Sequence, residues 1–419
     1  MLVPASLSHA DETSTTSSSL PLGYLSDPDV ESADFLEALA SGKFSIDNRI
    51  RFEWADQSDR RSSTAWTNRV RFGYGSKAYQ GLSGYVDGEW VVTASEDDYF
   101  VPATGDGTPG RTVIADPPGI ELNQAYGQYA VDNLGGGDMS LQVRGGRQRI
   151  VLDDSRFIGN VGWRQFEQTF DAVRVQATFG DSSLELEYAY VFGVQRIFGP
   201  DGPNPDSSSH FINGSYTFSP ALSVTAFAYL LDFEDDDPAN SSDTYGVRLT
   251  GVLSQDDDSA TIDYEFSFAH QTDAGDNTID YSAPYLHARL GVATKSIGKV
   301  SVGYELLGSD DGLIGFRTPL ATGHKFNGFA DRFLVTPAEG LQDVYVKFGT
   351  TLPHDIKASV AFHQFLGDDS GDELGREIDF VVKKKLNENW TLLAKGGFFD
   401  GQSGNPDIDR IWVQATFAF

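Results

Sequence analysis

From Lys43 to the last residue, apolar and polar side chains alternate with a period of two, the spacing of a strand with two different faces. The final segment shows it most plainly. Ile411, Val413, Ala415, Phe417 and Phe419 fall on one face, and Arg410, Trp412, Gln414, Thr416 and Ala418 on the other. The same rhythm predicts strands near 44–54, 66–75, 81–93, 120–131, 138–147, 171–180, 183–193, 209–219, 222–232, 243–253, 258–269, 284–295, 298–307, 341–351, 356–366, 375–386, 389–400 and 408–419, an even set of eighteen. One short helix is predicted, at about Asp34 to Ala40: Asp34 and Glu37 fit a capping pair, Phe35, Leu36 and Leu39 make an apolar stripe, and Gly42 ends it.

The connections alternate in length. Tight turns are expected at Ser76 to Gln80, Asp181-Ser182, Pro220, Ser296-Ile297 and Asn387-Glu388, and long segments at 94–119, 148–170, 194–208, 270–283 and 308–340. A soluble sandwich has no reason to sort its loops onto two sides, whereas an outer-membrane barrel has short periplasmic turns and long external loops. Closure also removes the sheet edges that hydrocarbon would leave without hydrogen-bond partners. The predicted fold is therefore all-β: a single closed antiparallel transmembrane β-barrel of about eighteen strands spanning 44–419, preceded by a short periplasmic helix segment at 23–43. At that strand number the lumen is too wide for strand side chains to fill, which predicts an aqueous channel. Trp54, Tyr74, Trp90, Tyr188, Tyr190, Trp390 and Phe417 are expected at the membrane interfaces.

Composition agrees with two-faced strands. Mean hydropathy is −0.30 although aromatics number 29 Phe, 17 Tyr and 6 Trp. The longest uncharged stretch, Ser207 to Leu231, alternates and is broken by Pro220, so it reads as two strands and a turn, not a membrane helix. Absence of Cys excludes a disulfide framework and a thiolate metal site. With 31 Lys+Arg against 61 Asp+Glu, a net charge of −30, no nucleic-acid partner is expected. The opening MLVPASLSHADE has a small-residue stop at Ser8-His9-Ala10 but no basic region before it, so residues 1–22 read as a leader remnant or a disordered tail.

Strand parity puts Arg49, Arg51, Arg69, Arg71, Lys395 and Arg410 inside, on one contiguous wall where the last strand meets the first. Arg144, Arg174, Arg248, Arg289 and Lys347 point inward by the same rule, and Arg147, Arg149, Arg156 and Arg164 lie in or beside the segment after the fifth strand. Rows of cations favour anions in a pore. Interior acids, among them Asp87, Glu89, Glu187, Asp263, Glu265, Glu305, Glu377 and Asp379, keep a second reading open, in which the cations are a structural ion ladder. Acidic external runs such as Glu234 to Asp237 read as solvated loops, since none has the spaced ligands of a calcium loop.

Catalytic signatures are poor. Gly105 to Gly110 satisfies G-x-G-x-x-G but sits in a Pro-rich loop with no helix after it, the segments at Gly81 and Gly401 fall short of G-x-S-x-G, and the seven His lack metal spacing. No enzyme, catalytic residue, metal or cofactor is expected. A barrel lipase and a non-conducting adhesin are the rivals from other classes.

Gly146-Arg147-Gln148-Arg149, then Arg156 to Gln165 (RFIGNVGWRQ) and Gln168-Thr169-Phe170-Asp171, resemble a signature of the alginate-export family of outer-membrane barrels. So do Thr318 to Thr322 (TPLAT), His324 to Gly328 (HKFNG), Ala330-Asp331-Arg332-Phe333, and the opening Ala38-Leu39, Gly42-Lys43 and Arg49 to Glu53. The resemblance implies an Arg-lined constriction passing an anionic polyuronate, and by motif it adds Lys325 to Arg147, Arg149 and Arg164 as site residues. The expected function is an outer-membrane channel of a Gram-negative bacterium for an anionic polysaccharide or oligosaccharide; a general or other-substrate uptake porin for sugars or organic acids is the alternative. Expected partners are outer-membrane lipid and lipopolysaccharide, the anionic saccharide, and the barrel-assembly machinery, which reads a terminal apolar residue such as Phe419. Segments 148–170 and 308–340 are the candidates for an inward constriction.

Overall fold

The computed structural model describes residues 32–180, 183–234, 236–254 and 260–419. The leader reading, residues 23–31, the turn residues Asp181-Ser182 and Asp235 of the acidic run lie outside them. A helix, α1 (Phe35–Ala40), is capped by the Asp34 side chain, which accepts from the backbone N–H of Glu37. Eighteen strands follow: β1 Lys43–Gln57, β2 Ser63–Gly75, β3 Leu82–Thr93, β4 Gly119–Val131, β5 Met139–Gln148, β6 Thr169–Phe179, β7 Leu184–Gln195, β8 Asp206–Ser219, β9 Leu222–Leu231, β10 Ser242–Ser254, β11 Thr261–Asp273, β12 Ser282–Thr294, β13 Gly298–Leu307, β14 Leu341–Leu352, β15 Ile356–Leu366, β16 Glu373–Lys385, β17 Trp390–Gly401 and β18 Ile408–Ala418.

Each strand pairs antiparallel with its neighbours in sequence, and β18 returns to β1 with Gln414 opposite Arg51 and Phe417 opposite Asn48. The sheet is thus a closed eighteen-stranded antiparallel barrel without a free edge. Two minor two-residue ribbons, 100–101 with 106–107 and 309–310 with 314–315, sit in the long loops.

The period of two sorts the side chains as their chemistry requires. Trp66, Phe72, Trp90, Ile120 and Val413 stand on the outer wall, each more than half exposed. In water a continuous band of that kind would be untenable; against hydrocarbon it costs nothing. Aromatic rungs such as Phe44 on Phe72 (5.7 Å) and Trp390 on Phe417 (5.2 Å) lie toward the end where β1 begins and β18 ends.

One expectation needs correction. Loop lengths do not alternate all the way round: the connections 58–62, 367–372 and 402–407 on the long-loop side are short. The lumen is narrowed by the two segments in which the sequence places the constriction. Segments 149–168 and 308–340 run inside the barrel and bring Ile150, Leu152, Ile158, Phe316, Leu320 and Phe333 against inward residues of the wall such as Phe170, Phe211, Tyr229, Tyr285 and Phe399. The strands alone cannot fill so wide a cylinder, but chain folded back into it supplies the missing side chains and makes an apolar core with wall residues from β6 round to β18.

Candidate functional site

The inward loops are held by cations on strands. Arg49 and Arg69 face each other across β1 and β2, and Gln414 of β18 opposes Arg51. These three arginines grip four consecutive carbonyls of the first loop. Arg49 donates to Gly162 (3.1 Å), Trp163 (3.0 Å) and Arg164 (3.0 Å), Arg51 donates to Trp163 (2.5 Å), and Arg69 donates to Gln165 (3.3 Å). Four carbonyls presented to one side make a partially negative patch, and a wall of guanidinium groups is its complement. Arg51 also meets Asp116 (3.3 Å) of a third loop, whose other oxygen accepts from the N–H of Gln165 (2.8 Å).

Carboxylates complete the anchorage. Arg71 bonds Glu89 (2.5 Å) and Glu167 (3.0 Å), and Arg149 pairs with the same Glu167. Burial opposes the charge on Glu167, but Arg149 and Arg71 outweigh it and hold its carboxyl well below the usual range. Arg164 bridges Glu53 (3.3 Å) on β1 and Asp331 (2.7 Å) in the second inward loop, and Arg410 joins Glu53 (3.1 Å) to the carbonyl of Ala330 (2.9 Å). Arg156 pairs with Glu305 (2.6 Å) and Asn327 (3.1 Å).

Where the two loops meet, the Trp163 ring stacks on His324 (4.8 Å, 10°) and stands edge-on to Trp412 (5.6 Å). The Lys395 ammonium lies 3.3 Å from the ring centre of Phe329 and 4.3 Å from that of Trp163. Burial pushes His324 down to about 3, so its ring is neutral, and its Nδ1 donates to Asp331 (2.6 Å). Asp331 keeps its charge despite burial because the hydrogen bond from His324 and the guanidinium charges of Arg164 and Arg410 lower its carboxyl. Gly159 permits the closest approach of the loops, since a Cβ there would lie 2.2 Å from the Thr322 hydroxyl.

Strand parity therefore predicts direction correctly but not environment. Arg49, Arg51, Arg69, Arg71, Lys395 and Arg410 do point inward and adjoin, yet none is more than 7% exposed, because loop backbone and aromatic rings cover them. They are pins before they are pore lining. Arg144 is likewise covered, bonding Gln128 (2.8 Å) and lying 4.2 Å over Tyr126. Lys325 stands on no wall and donates to the Asp154 carbonyl (2.7 Å), while Arg147 makes a two-bond pair with Asp171 (2.9 Å each) near the outer end of β5.

A second group remains partly open to the lumen. Arg174 pairs with Glu187 (2.7 Å), Arg248 with Glu265 (2.9 Å), Arg289 with Asp263, and Lys299 with that same Asp263 (2.7 Å); Lys347 of β14 sits opposite Ser301, two residues along β13 from Lys299. Side-chain exposure rises from 8% at the pin Arg71 through 9% for Arg289 and 11% for Arg174 to 19% for Arg248 and 24% for Lys299, so Arg248 and Lys299 stand clear of the pins. Asp153 and Asp154, on the first inward loop, lie within electrostatic reach of Arg248, and Asp153 is held by Asn213 (2.9 Å). Loop acids thus lie close to a wall cation.

The roles of Asp116, Trp163, Glu167, His324 and Asp331 escape a reading by periodicity, because loops have no period to follow. Lys299 carried the right parity, and its place inside β13 was the available signal. Among the described residues no group of His, Asp and Glu is disposed to hold a metal ion.

Residues 41–305 match the family model described as alginate export. Among solved structures, Acinetobacter baumannii OccAB4 superposes with a TM-score of 0.68 at 15% identity, over 90% of this chain and 98% of that one. Pseudomonas aeruginosa OccK9 (OpdG) gives 0.69 at 13% identity over 91% and 99%, and P. aeruginosa OccD3 (OpdP) gives 0.65 at 12% over 91% and 92%. These neighbours are outer-membrane porins, and at such identities the likeness concerns the fold. No curated protein matches the chain.

Proposed function

This chain belongs to the alginate-export family of outer-membrane channels, and we propose that it passes anionic saccharides of the polyuronate kind, in single file, along the partly open cations. The observation that carries this reading is the row Arg174, Arg248, Arg289 and Lys299, each facing inward and each already holding a carboxylate. A cation that shares its charge with a fixed carboxylate offers a passing one a weak, replaceable contact. A bare arginine in the same place would bind too tightly to release it. The loop acids Asp153 and Asp154 close to Arg248 set up a field in the passage, which orients a solute with carboxylates on one edge and hydroxyls on the other.

A second reading, uptake of small hydrophilic solutes, draws support from the loop core that occupies part of the lumen, because a narrowed bore suits monomers or short oligomers. Planar-bilayer recording separates the two. Under the first reading, uronate oligomers block the single-channel current at concentrations where a neutral glucan of equal length does not, and chloride is preferred over potassium in the reversal potential. Equal block by both sugars with no anion preference would refute the polyuronate proposal and favour the second.

A further inference from the structure

Helix α1 (Phe35–Ala40) is too short to be stable alone, and its most apolar side chains point away from the protein: Phe35 is 51% exposed, Leu36 71% and Leu39 46%. What holds the helix is its other side. Ala38 is buried and its carbonyl accepts from the N–H of Lys77 in the β2–β3 turn (3.0 Å), while Ser32 N–H donates to Ala78 (2.8 Å).

The location of the exposed stripe follows from Tyr74. This residue lies on β2 with the parity of Trp66 and Phe72, so its ring belongs to the outer wall, where it packs on Phe44 (4.7 Å). Its hydroxyl donates to the Leu39 carbonyl and accepts from the Gly42 N–H (2.9 Å), which places the C-terminal end of the helix directly beneath the outward aromatic belt and not across the mouth of the lumen. Gly42 is needed for this approach, since a Cβ there would lie 2.5 Å from the Tyr74 hydroxyl. Phe35 meets the ring of Tyr79 in the same turn (5.9 Å). Phe35, Leu36 and Leu39 therefore continue the surface of Phe44 and Phe72, 62% and 53% exposed, which the barrel presents to hydrocarbon.

We propose that α1 is an interfacial anchor that lies on the periplasmic leaflet with Phe35, Leu36 and Leu39 inserted among phospholipid acyl chains. A barrel needs no such anchor to stay in the membrane. Its consequence is to fix the start of β1, and with it the β1–β18 closure, at a set depth, as amphipathic segments do at an interface.

The chain has no cysteine, so one introduced residue carries a nitroxide label without background. Leu36→Cys and Leu39→Cys, labelled and reconstituted in phosphatidylethanolamine–phosphatidylglycerol vesicles, are compared by electron paramagnetic resonance with Phe72→Cys as the hydrocarbon reference and Glu388→Cys as the aqueous one. The expected result at both helix positions is faster collision with oxygen than with a water-soluble nickel chelate, by at least threefold, as at residue 72 and reversed at 388. Faster collision with nickel would put the stripe in water. Slow collision with both reagents would mean that protein covers it. Either outcome overturns the proposal, and a label at one position that merely disrupts the helix is detected by disagreement between the two.

Discussion

Replacing Arg49 by Met keeps the length of the side chain and removes what it holds. In the native protein its guanidinium donates to three successive loop carbonyls at 3.0 to 3.1 Å, in a site only 1% exposed. A hydrogen bond from a charged donor contributes about 1.5–3 kcal/mol, so the gross loss is roughly 4–9 kcal/mol. Two effects reduce it. Water entering from the bore can solvate the freed carbonyls, and Arg69, directly across the strand pair, is relieved of a like-charged neighbour. A net shift of about 3 kcal/mol against the docked loop remains, or roughly a hundredfold rise in the undocked fraction. Trp163 also accepts from Arg51, so the double variant with Arg51→Met is expected to lose less than the sum of the two single losses. The assay is single-channel recording of purified, heat-modifiable barrels. The variant should show frequent transitions to a higher conductance where the native channel is quiet. A variant with native conductance and noise would refute the idea that Arg49 pins the loop and would return it to the role of pore lining.

Arg248→Gln, at a partly open site, is expected to do the converse: noise unchanged, with anion preference and block by uronate oligomers reduced severalfold in reversal-potential and current-block measurements. His324 is neutral when docked, with its titration pushed down to about 3, while a solvated histidine titrates near 6.5; its contribution is complete above that value and is lost as pH falls toward 3, by about 2 kcal/mol at pH 5. Channel noise should therefore rise on acidification from pH 6.5 to 4.5, and His324→Asn should flatten that dependence. Gly159→Ala forces a methyl group to within 2.2 Å of the Thr322 hydroxyl and should oppose loop docking by about 1–3 kcal/mol, seen as raised noise that Thr322→Gly partly reverses.

What the sequence determined by itself was whatever depends on period and sign. Alternation from Lys43 onward defines every barrel strand, with ends off by only a few residues, because a strand in a two-solvent wall must change face at each step. Antiparallel closure and the direction of Arg49, Arg71, Arg248 and Lys395 follow from the same arithmetic, as does the cap of α1 by Asp34. Tertiary structure alone decided which inward cations meet water. Arg49 and Arg248 share parity, charge and strand type, yet one is covered by the carbonyls of residues 162–164 and the other stays open beside Glu265. That difference comes from two loops folding back into the barrel; their composition marked 148–170 and 308–340 as the segments that do so, but which cation each one covers is set by contacts distant in sequence, such as Arg164 with Asp331 and Gly159 with Thr322, which leave no local pattern to read.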